Sequence, residues 1–590
     1  MSFEIGWGKS PINFGHQGYA MNGYGMPHHQ ATDQRTPLFA RTLVITDASA
    51  RTAILCCLDM AMVNYAMRVA AVAACSDLLG ERFWESGFVL TCTHTHSSPG
   101  GCGHEAMYNF VTPGFQQAHV DAVVAAIAES VTQALAVSQP ANLHLTRGRI
   151  PTSVDVAWNR SLTAYNRNPE VSALEPSQTN LGIDREMTTL SVESDDQIAA
   201  IFSLFGVHAT ALGNHLHSLD GDNKGYASAH AEQVLEGSGE PSPVAIFAQS
   251  TAGDVSPHFH GPGQVKRRTA IRTSGDPAYA KRNGELQAEQ ALLMVNNAER
   301  VEISGSLDAV LIYEDFTSIE VEPALSGGVE GARTVDPCHG AAFFAGTPVD
   351  GLGAPALIGV AAKLLASSLR KRRLAGSKRG SEEDHRYYQQ LYAAQDPKAV
   401  VLESGRKLTL GKPLSAAPVP AFVDASVAQM THEARIGALD TSPLVPTVLP
   451  VQILRIGQMA LLCCPGEVTT IAGARMRDCV RSQLGSQGVE EVLLLTYSND
   501  YMGYVTTAEE YEQQNYEGGH TIFGKWTLAG FQTMFIRAAS MLGRSPEDRL
   551  EAEMLRPPAV NPEELALRSN LAPRRSKRQA EHLTHQHTGQ

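Results

Sequence analysis

The chain has 590 residues, 43% of them hydrophobic and 18% charged, and a formal net charge of -14. That length allows a large buried core, no run approaches the roughly 18 unbroken apolar residues of a membrane span, and the acidic balance excludes a general nucleic-acid surface, which needs concentrated Lys and Arg. The opening residues, MSFEIGWGKSPINF, lack a basic stretch followed by an apolar one, so no signal peptide is expected and a cytoplasmic location follows.

Strand-like and helix-like patterns alternate from Leu43 to about Leu135. TLVIT, AILCCLDMAM and FVLTCTHTH read as strands. A helix from about Phe115 follows, with Val120, Val123, Val124, Ile127, Val131 and Leu135 on one face. Further strands are predicted at Met187–Val192, Ala199–Val207, Pro243–Ala248, Val451–Ile456, Met459–Cys464 and Val492–Thr496. The fold class is therefore α/β (mixed α+β), a large catalytic domain around a mixed β-sheet flanked by helices.

Cysteines number nine, an odd count, and the pairs Cys56–Cys57 and Cys463–Cys464 fall inside strand-like runs, so they read as buried thiols. Between about Gly263 and Pro450 the pattern loosens. The Gly-rich stretch Gly327–Gly353 and the charged run Arg370–Asp384 predict long loops over the same domain. After Leu542 the chain turns polar, and disorder is expected from about Ser569. The division is thus 1–542, catalytic domain, and 543–590, polar C-terminal tail. The basic runs Arg370–Arg373 and Arg574–Arg578 read as solvated surface, the sharper alternative being contact with anionic lipid headgroups.

The residue types that carry chemistry cluster where apolar runs end. THTHSSPGG (Thr93–Gly101) follows GFVL, and in a strand His94 and His96 would share one face while Thr95 points away. Zinc in a catalytic site takes three or four protein ligands and leaves room for water. One His-x-His pair alone equally fits hydrogen-bonded core histidines. In FGVHATALGNHLHSLDGDNKGYAS, His208 closes another apolar strand, and His215, His217, Asp220 and Asp222 follow closely. His215 and His217 also suit a polar loop. CCPGEVTTIAGARMR sets Glu467 at the start of a helix, where a carboxylate caps the helix or binds a cation. AGDVSPH offers Asp254 and Ser256, and NRSLTAYNRNP offers Arg160. YSNDYMGYVTTAEEYEQQNYEGG carries Tyr497, Tyr501, Tyr504, Tyr511 and Tyr516, a density that suits a polar pocket.

Together and in this order, THTHSSPGG, NRSLTAYNRNP, GVHATAL with GDNKGYAS, AQSTAGDVSP, FFAGTPVDG, PGEVTTIAGARMR and YMGYVTTAEEYEQQNYEGG resemble the neutral/alkaline ceramidase family of zinc-dependent amidases. The likeness runs from about Gly18 to Leu542. It implies one catalytic Zn2+ held by His94, His208, Glu467 and Tyr504. It places His96, Arg160 and Tyr516 around the reacting amide, and Ser256 with Asp254 in the family's Gly-Asp-x-Ser-Pro turn. Spacing alone does not choose Tyr504 over Tyr501. The chain departs from the family's HTHSGPGG at Ser98, from its GDVSPN at His258, from its HPTS with HATA, and from its PGEFTTM with PGEVTTI, and no departure removes a ligand. Family members carry a C-terminal immunoglobulin-like domain, but the roughly 50 residues after Leu542 are too few for a fold of about 100, so none is expected here.

The implied reaction is zinc-dependent hydrolysis of the amide of an N-acyl lipid, ceramide yielding a sphingoid base and a fatty acid. Zinc lowers the pKa of water toward about 7, His96 relays the proton, and Tyr516 or Arg160 holds the oxyanion. A rival mechanism makes Ser256 the nucleophile of an acyl-enzyme. Alternative functions are an amidase for other N-acyl substrates, such as N-acyl amino acids or fatty-acyl amides, and a metal-binding module without turnover. The expected partner is a small N-acyl lipid or amide, with no nucleic acid, no transmembrane segment and peripheral membrane contact at most. No feature sets the oligomeric state.

Overall fold

The computed structural model describes residues 3–569, apart from 15–19, 113, 196, 237–240, 259–274, 298, 348, 350, 353–355, 377–380, 418–424, 546 and 550–554. A nine-stranded sheet contains β1 (Phe3–Pro11), β2 (Phe39–Thr46), β3 (Thr52–Leu58), β4 (Phe88–Cys92), β5 (Gln139–Arg149), β6 (Glu186–Ser194), β7 (Gln197–Leu204), β8 (Val244–Ala248) and β9 (Arg300–Ile303). Its order is β8-β7-β6-β5-β1-β2-β3-β4, with β9 beside β5. A four-stranded sheet runs β10 (Leu307–Asp315), β11 (Val448–Ile456), β12 (Met459–Cys463), β13 (Glu491–Leu495). The main helices, with two short ones at the site, are α1 (Tyr65–Leu79), α2 (Gln117–Ala136), α3 (Asp222–Leu235), α4 (Asp276–Asn297), α5 (Ala341–Ala345), α6 (Ala356–Gly376), α7 (Glu382–Ala394), α8 (Thr470–Gly485), α9 (Tyr516–His520) and α10 (Thr527–Met541).

Successive strand residues point to opposite faces, and here both faces are covered. Leu43, Ile45, Leu55 and Cys57 of the larger sheet meet Leu454, Ile456, Leu461, Cys463 and Leu495 of the smaller one in a single core between the sheets. Their neighbours Val44, Ile54 and Cys56 pack outward with Met67 of α1 and Val123 and Ile127 of α2, while Ile453, Leu462 and Leu494 pack with Met476 and Val480 of α8 and Phe535 of α10. The result is four layers: helices, sheet, sheet, helices. This is the mixed α/β architecture that the sequence predicts. The adjacent cysteines divide between the two faces, and each of the four is a buried thiol.

Three strand pairs within these sheets are parallel: β3 with β4, β7 with β8, and β12 with β13. A parallel pair needs a crossover, and α1, α3 and α8 supply the three. The pairs end level, Leu58 opposite Cys92, Leu204 opposite Ala248, and Cys463 opposite Leu495. Each therefore delivers its next residues to the same end of its sheet.

The reading of long loops is corrected over Arg370–Asp384, where α6 and α7 run, whereas the described residues of Gly327–Gly353 hold only short elements, α5 being the longest. The span from Gly263 to Pro450 holds α4, β10, α6 and α7, and its residues 263–274, 298, 348, 350, 353–355, 377–380 and 418–424 lie outside those described. The buried side of α4 mixes Ala280, Ala288 and Ala291 with Asp276, Asn283, Gly284 and Gln287, so the hydrophobic period that marks a helix is faint there. The first residues, which carry no apolar run, form β1 in the middle of the sheet. There a Cβ on Gly6 would stand 1.8 Å from the Ala134 carbonyl oxygen and one on Gly8 2.2 Å from that of Ser130, so α2 lies directly on the strand. Past Leu542, Arg549 pairs with Asp308 at 2.9 Å, and in the helix Pro562–Ser569 Glu564 accepts from Ser442 N at 2.9 Å. The expectation of disorder from about Ser569 concerns residues outside those described. Among the described residues no helix is long and apolar enough to cross a membrane.

Candidate active site

All four sequence-predicted ligands follow the carboxyl ends of parallel strands: His94 after β4, His208 after β7, Glu467 after β12 and Tyr504 after β13. Ends of this kind are where open α/β sheets bind ligands. A two-residue parallel ladder, Glu467–Val468 against Tyr504–Val505, sets Glu467 opposite Tyr504.

The imidazoles are oriented from behind. His94 Nδ1 lies 2.5 Å from the carbonyl oxygen of Ala61, just past β3, and His208 Nδ1 lies 2.6 Å from that of Ala252. Each Nδ1 therefore carries the proton and donates it, leaving the Nε2 lone pairs directed at Glu467. His208 Nε2 is 2.9 Å and His94 Nε2 3.4 Å from Glu467 Oε2. Carbonyls that fix the tautomer from the far side are the usual support of metal-ligating histidines. Ser98, one of the departures from the family pattern, strengthens that support: its hydroxyl accepts from Ala61 N at 3.0 Å.

His94, His208 and Glu467 form a buried group able to hold a metal ion, with one ligand atom from each lying within 4.8 Å of the others. Two imidazole lone pairs and a carboxylate facing one another away from water call for a cation. Burial pushes the Glu467 carboxyl up, but His94 and His208 outweigh it and hold the group well below the usual carboxylate range. Glu467 also accepts from Tyr497 at 3.2 Å and from Tyr501. Of the two readings open for this residue, the carboxylate faces the imidazoles and does not cap α8. The α8 cap is Thr469, and the carboxylate that serves its first turn is Asp254.

Tyr504 and Tyr501 separate by partner. Tyr501 donates to Glu467, whereas the Tyr504 hydroxyl is 3.3 Å from His208 Nε2, beside the imidazole lone pair. Burial and the Glu467 charge push the Tyr504 phenol up, and Arg160 pulls it down. Arg160 is no surface residue: its side chain is 3% exposed, and it spans Glu517 Oε1, the Gly253 carbonyl and the Tyr504 hydroxyl, each at 2.9 Å. Glu517 was not singled out in the sequence. The one signal for it is indirect, since a buried arginine requires a counter-charge. Ser161 fixes its other oxygen at 2.6 Å.

His96 Nε2 lies 3.1 Å from His94 Nε2, so the two rings do meet, but not by strand alternation. β4 ends at Cys92, and His94 itself has φ 64°, a left-handed conformation uncommon outside glycine and suited to a functional site. Thr95 points away as expected and donates to the Asp220 carbonyl at 2.7 Å. Burial, then His94 and His208, push the His96 imidazole well down. Tyr516 opens α9, edge-on to Tyr504 with ring centres 5.4 Å apart, and is half-buried.

Asp254 has its oxygens engaged elsewhere. Oδ1 accepts from Thr470 N and Oγ1, each at 2.9 Å, and Oδ2 accepts from Asn159 at 2.7 Å. Ser256 is buried in the short ladder with Trp158–Asn159, and its neighbour Val255 accepts from His208 Nδ1 at 3.1 Å. His258 Nε2 sits 2.8 Å from the Ala211 carbonyl and its ring stacks on Tyr279. Asp222 braces the loop after His208 by accepting from Leu212 N at 3.0 Å. His215 and His217 lie half-buried in that loop, outside the metal-binding group.

A family model, Neutral/alkaline non-lysosomal ceramidase, N-terminal, matches residues 3–533. The chain belongs to this family. It is 31% identical over 545 residues to the neutral ceramidase of Pseudomonas aeruginosa, covering 92% of this chain and 72% of that protein. The neutral ceramidase of Mycobacterium tuberculosis is 31% identical over 574 residues, covering 94% and 80%. Among solved structures, one described as ceramidase complexed with C2 aligns with a TM-score of 0.75 at 28% identity, over 96% of this chain and 78% of that one. The Pseudomonas aeruginosa neutral ceramidase aligns at 0.73 and 27%, over 96% and 77%. Both likenesses agree with the mixed α/β fold and with the resemblance read from the motifs.

Proposed function

We propose that the protein is a zinc-dependent amidohydrolase that cleaves the N-acyl bond of ceramide to a sphingoid base and a fatty acid. The observation that carries this reading is the convergence of His94 Nε2, His208 Nε2 and Glu467 Oε2 in a buried group, with the Tyr504 hydroxyl beside it. Two imidazole nitrogens, a carboxylate and a phenol make a nitrogen and oxygen set that suits zinc. Bound there, the ion would supply Lewis acidity toward an amide carbonyl and lower the pKa of water toward about 7. The substrate follows the ceramidases to which the chain is similar.

The chain's own residues do the rest. His96, next to the ligand group, takes the proton released as water adds to the carbonyl carbon. It returns that proton to the nitrogen as the C–N bond breaks, so the acyl carbon leaves as a carboxylic acid and the nitrogen as an amine. Arg160 holds Tyr504 in place through its hydrogen bond to the phenol, and the Tyr516 hydroxyl meets the carbonyl oxygen as it gains charge. Asp254 ties the Gly253 turn to α8, a positioning role. Ser256 stands in the same turn, and its neighbour Val255 orients His208.

The test is fatty-acid release from N-acyl sphingosine beside N-acyl amino acids and simple fatty-acyl amides, before and after chelation and zinc restoration. Loss and recovery with metal, and preference for the sphingosine amide, are expected. Undiminished turnover in metal-free protein, or an acyl group trapped on Ser256, rules the reading out.

A further inference from the structure

We propose that the exposed face of α6 is a docking surface for an anionic lipid bilayer. The helix, ALIGVAAKLLASSLRKRRLAG, contains no acidic residue in a chain of net charge -14. Leu357, Val360, Leu364 and Leu365 are 86%, 56%, 67% and 57% exposed. At 3.6 residues per turn these four fall with Lys371 and Arg372 in one arc of about 140°, and Ala366 on the opposite side is buried. Lys371 and Arg372 are exposed. The outer face is therefore apolar along its first half and cationic along its second.

The run Arg370–Arg373 divides by direction. Arg370 and Arg373 turn inward to Asp396 and Glu403 and fasten the helix to the domain. Lys371 and Arg372 are left to solvent. Aliphatic side chains grouped at this exposure mark an interaction surface, and an apolar stripe continued by cations is the pattern of a helix lying in a membrane interface. The leucines would enter the acyl boundary while the cations meet anionic headgroups, each cation strengthening binding about fivefold.

A second copy of this chain fits the face less well. Two-fold pairing sets the same patch on both partners, and with no carboxylate on α6 the two cations would meet only leucines or each other. The surface also adjoins the site. α5 packs on α6, and Phe343 of α5 stacks on Tyr516 with ring centres 5.9 Å apart. Delivery of a bilayer-borne amide to that site rests on the ceramide reading; the docking itself does not.

Co-sedimentation of the full chain with substrate-free vesicles decides it, using phosphatidylcholine alone and phosphatidylcholine mixed with phosphatidylserine. Binding to the mixed vesicles is expected, weakened about 25-fold in Lys371→Gln/Arg372→Gln, weakened likewise by high salt, and abolished in Leu364→Gln/Leu365→Gln. Unchanged thermal unfolding shows that the variants fold. The proposal falls if the native chain stays in the supernatant when the mixed vesicles are pelleted, or if both variants bind as it does. It falls equally if a concentration-dependent dimer, dissolved by Leu364→Gln/Leu365→Gln, replaces vesicle binding. Binding is read without turnover, so a failure of the ceramide reading leaves this result distinct.

Discussion

Gly23 lies against the His96 ring so closely that a Cβ on it would stand 2.3 Å from His96 Cγ, and its φ of 109° is one that other residues rarely adopt. The backbone of the segment before β2 thus walls in the His96 ring, with Tyr24 edge-on to it at 4.6 Å. Gly23→Ala should displace His96 without touching a metal ligand. Hydrolysis should fall about a hundredfold, the cost of a misplacement near 1 Å, while zinc content stays at the native level. A native rate would show that His96 needs no such wall.

The ligands and the proton carrier separate by metal content. His94→Ala and Glu467→Gln are expected to lose zinc and activity together, because each removes one donor of the buried group. His96→Ala should keep zinc and lose about a hundredfold to ten-thousandfold in kcat, the range for removing a general acid-base. Metal analysis beside steady-state kinetics checks both, and loss of zinc in His96→Ala would move that residue into the ligand set.

Arg160→Lys tests the hold on Tyr504. A lysine keeps the charge but not the fork that reaches Glu517, the Gly253 carbonyl and the Tyr504 hydroxyl together. We expect kcat to drop roughly tenfold to a hundredfold with KM little changed. A KM effect alone would instead assign Arg160 to substrate binding.

Acid should destabilise the fold partly through His29. It is fully buried, and neither ring nitrogen has a hydrogen-bond partner among the described residues. Burial, then His217, His28 and His215, push its imidazole down from 6.5 to about 3. The unfolded chain therefore binds a proton between those values that the folded chain refuses. Stability is whole above pH 6.5 and is lost as pH falls toward 3, by up to about 1.4 kcal/mol per pH unit from this residue. His29→Leu should flatten the fall of the unfolding midpoint between pH 6 and pH 4; an unaltered slope would place the acid sensitivity elsewhere.

Much of the site was legible because it is written at strand ends. Apolar runs before His94, His208 and Glu467 are local patterns, and a strand end delivers the residue after it whatever the rest of the chain does. The nearness of His96 to His94 followed from its place two residues on, although a left-handed turn at His94, and not strand alternation, brings the rings together. The span from Gly263 to Pro450 misled for the opposite reason. A buried face that sets alanines beside Asp276, Asn283 and Gln287 gives little hydrophobic contrast, so the period does not mark α4.

The sequence by itself determined the mixed α/β class, the buried cysteine pairs and the residues that could meet at a metal. The first two depend on patterns within single segments, and the third on the resemblance that the motifs carry together. Only the tertiary structure decided that Tyr504 lies beside His208 while Tyr501 bonds Glu467, that Arg160 is buried against Glu517, and that Asp254 serves α8. Those outcomes join segments up to 357 residues apart. Which of several identical side chains turns inward is fixed by the ladder and the packing that receive it, and neither is a property of the segment that carries the side chain.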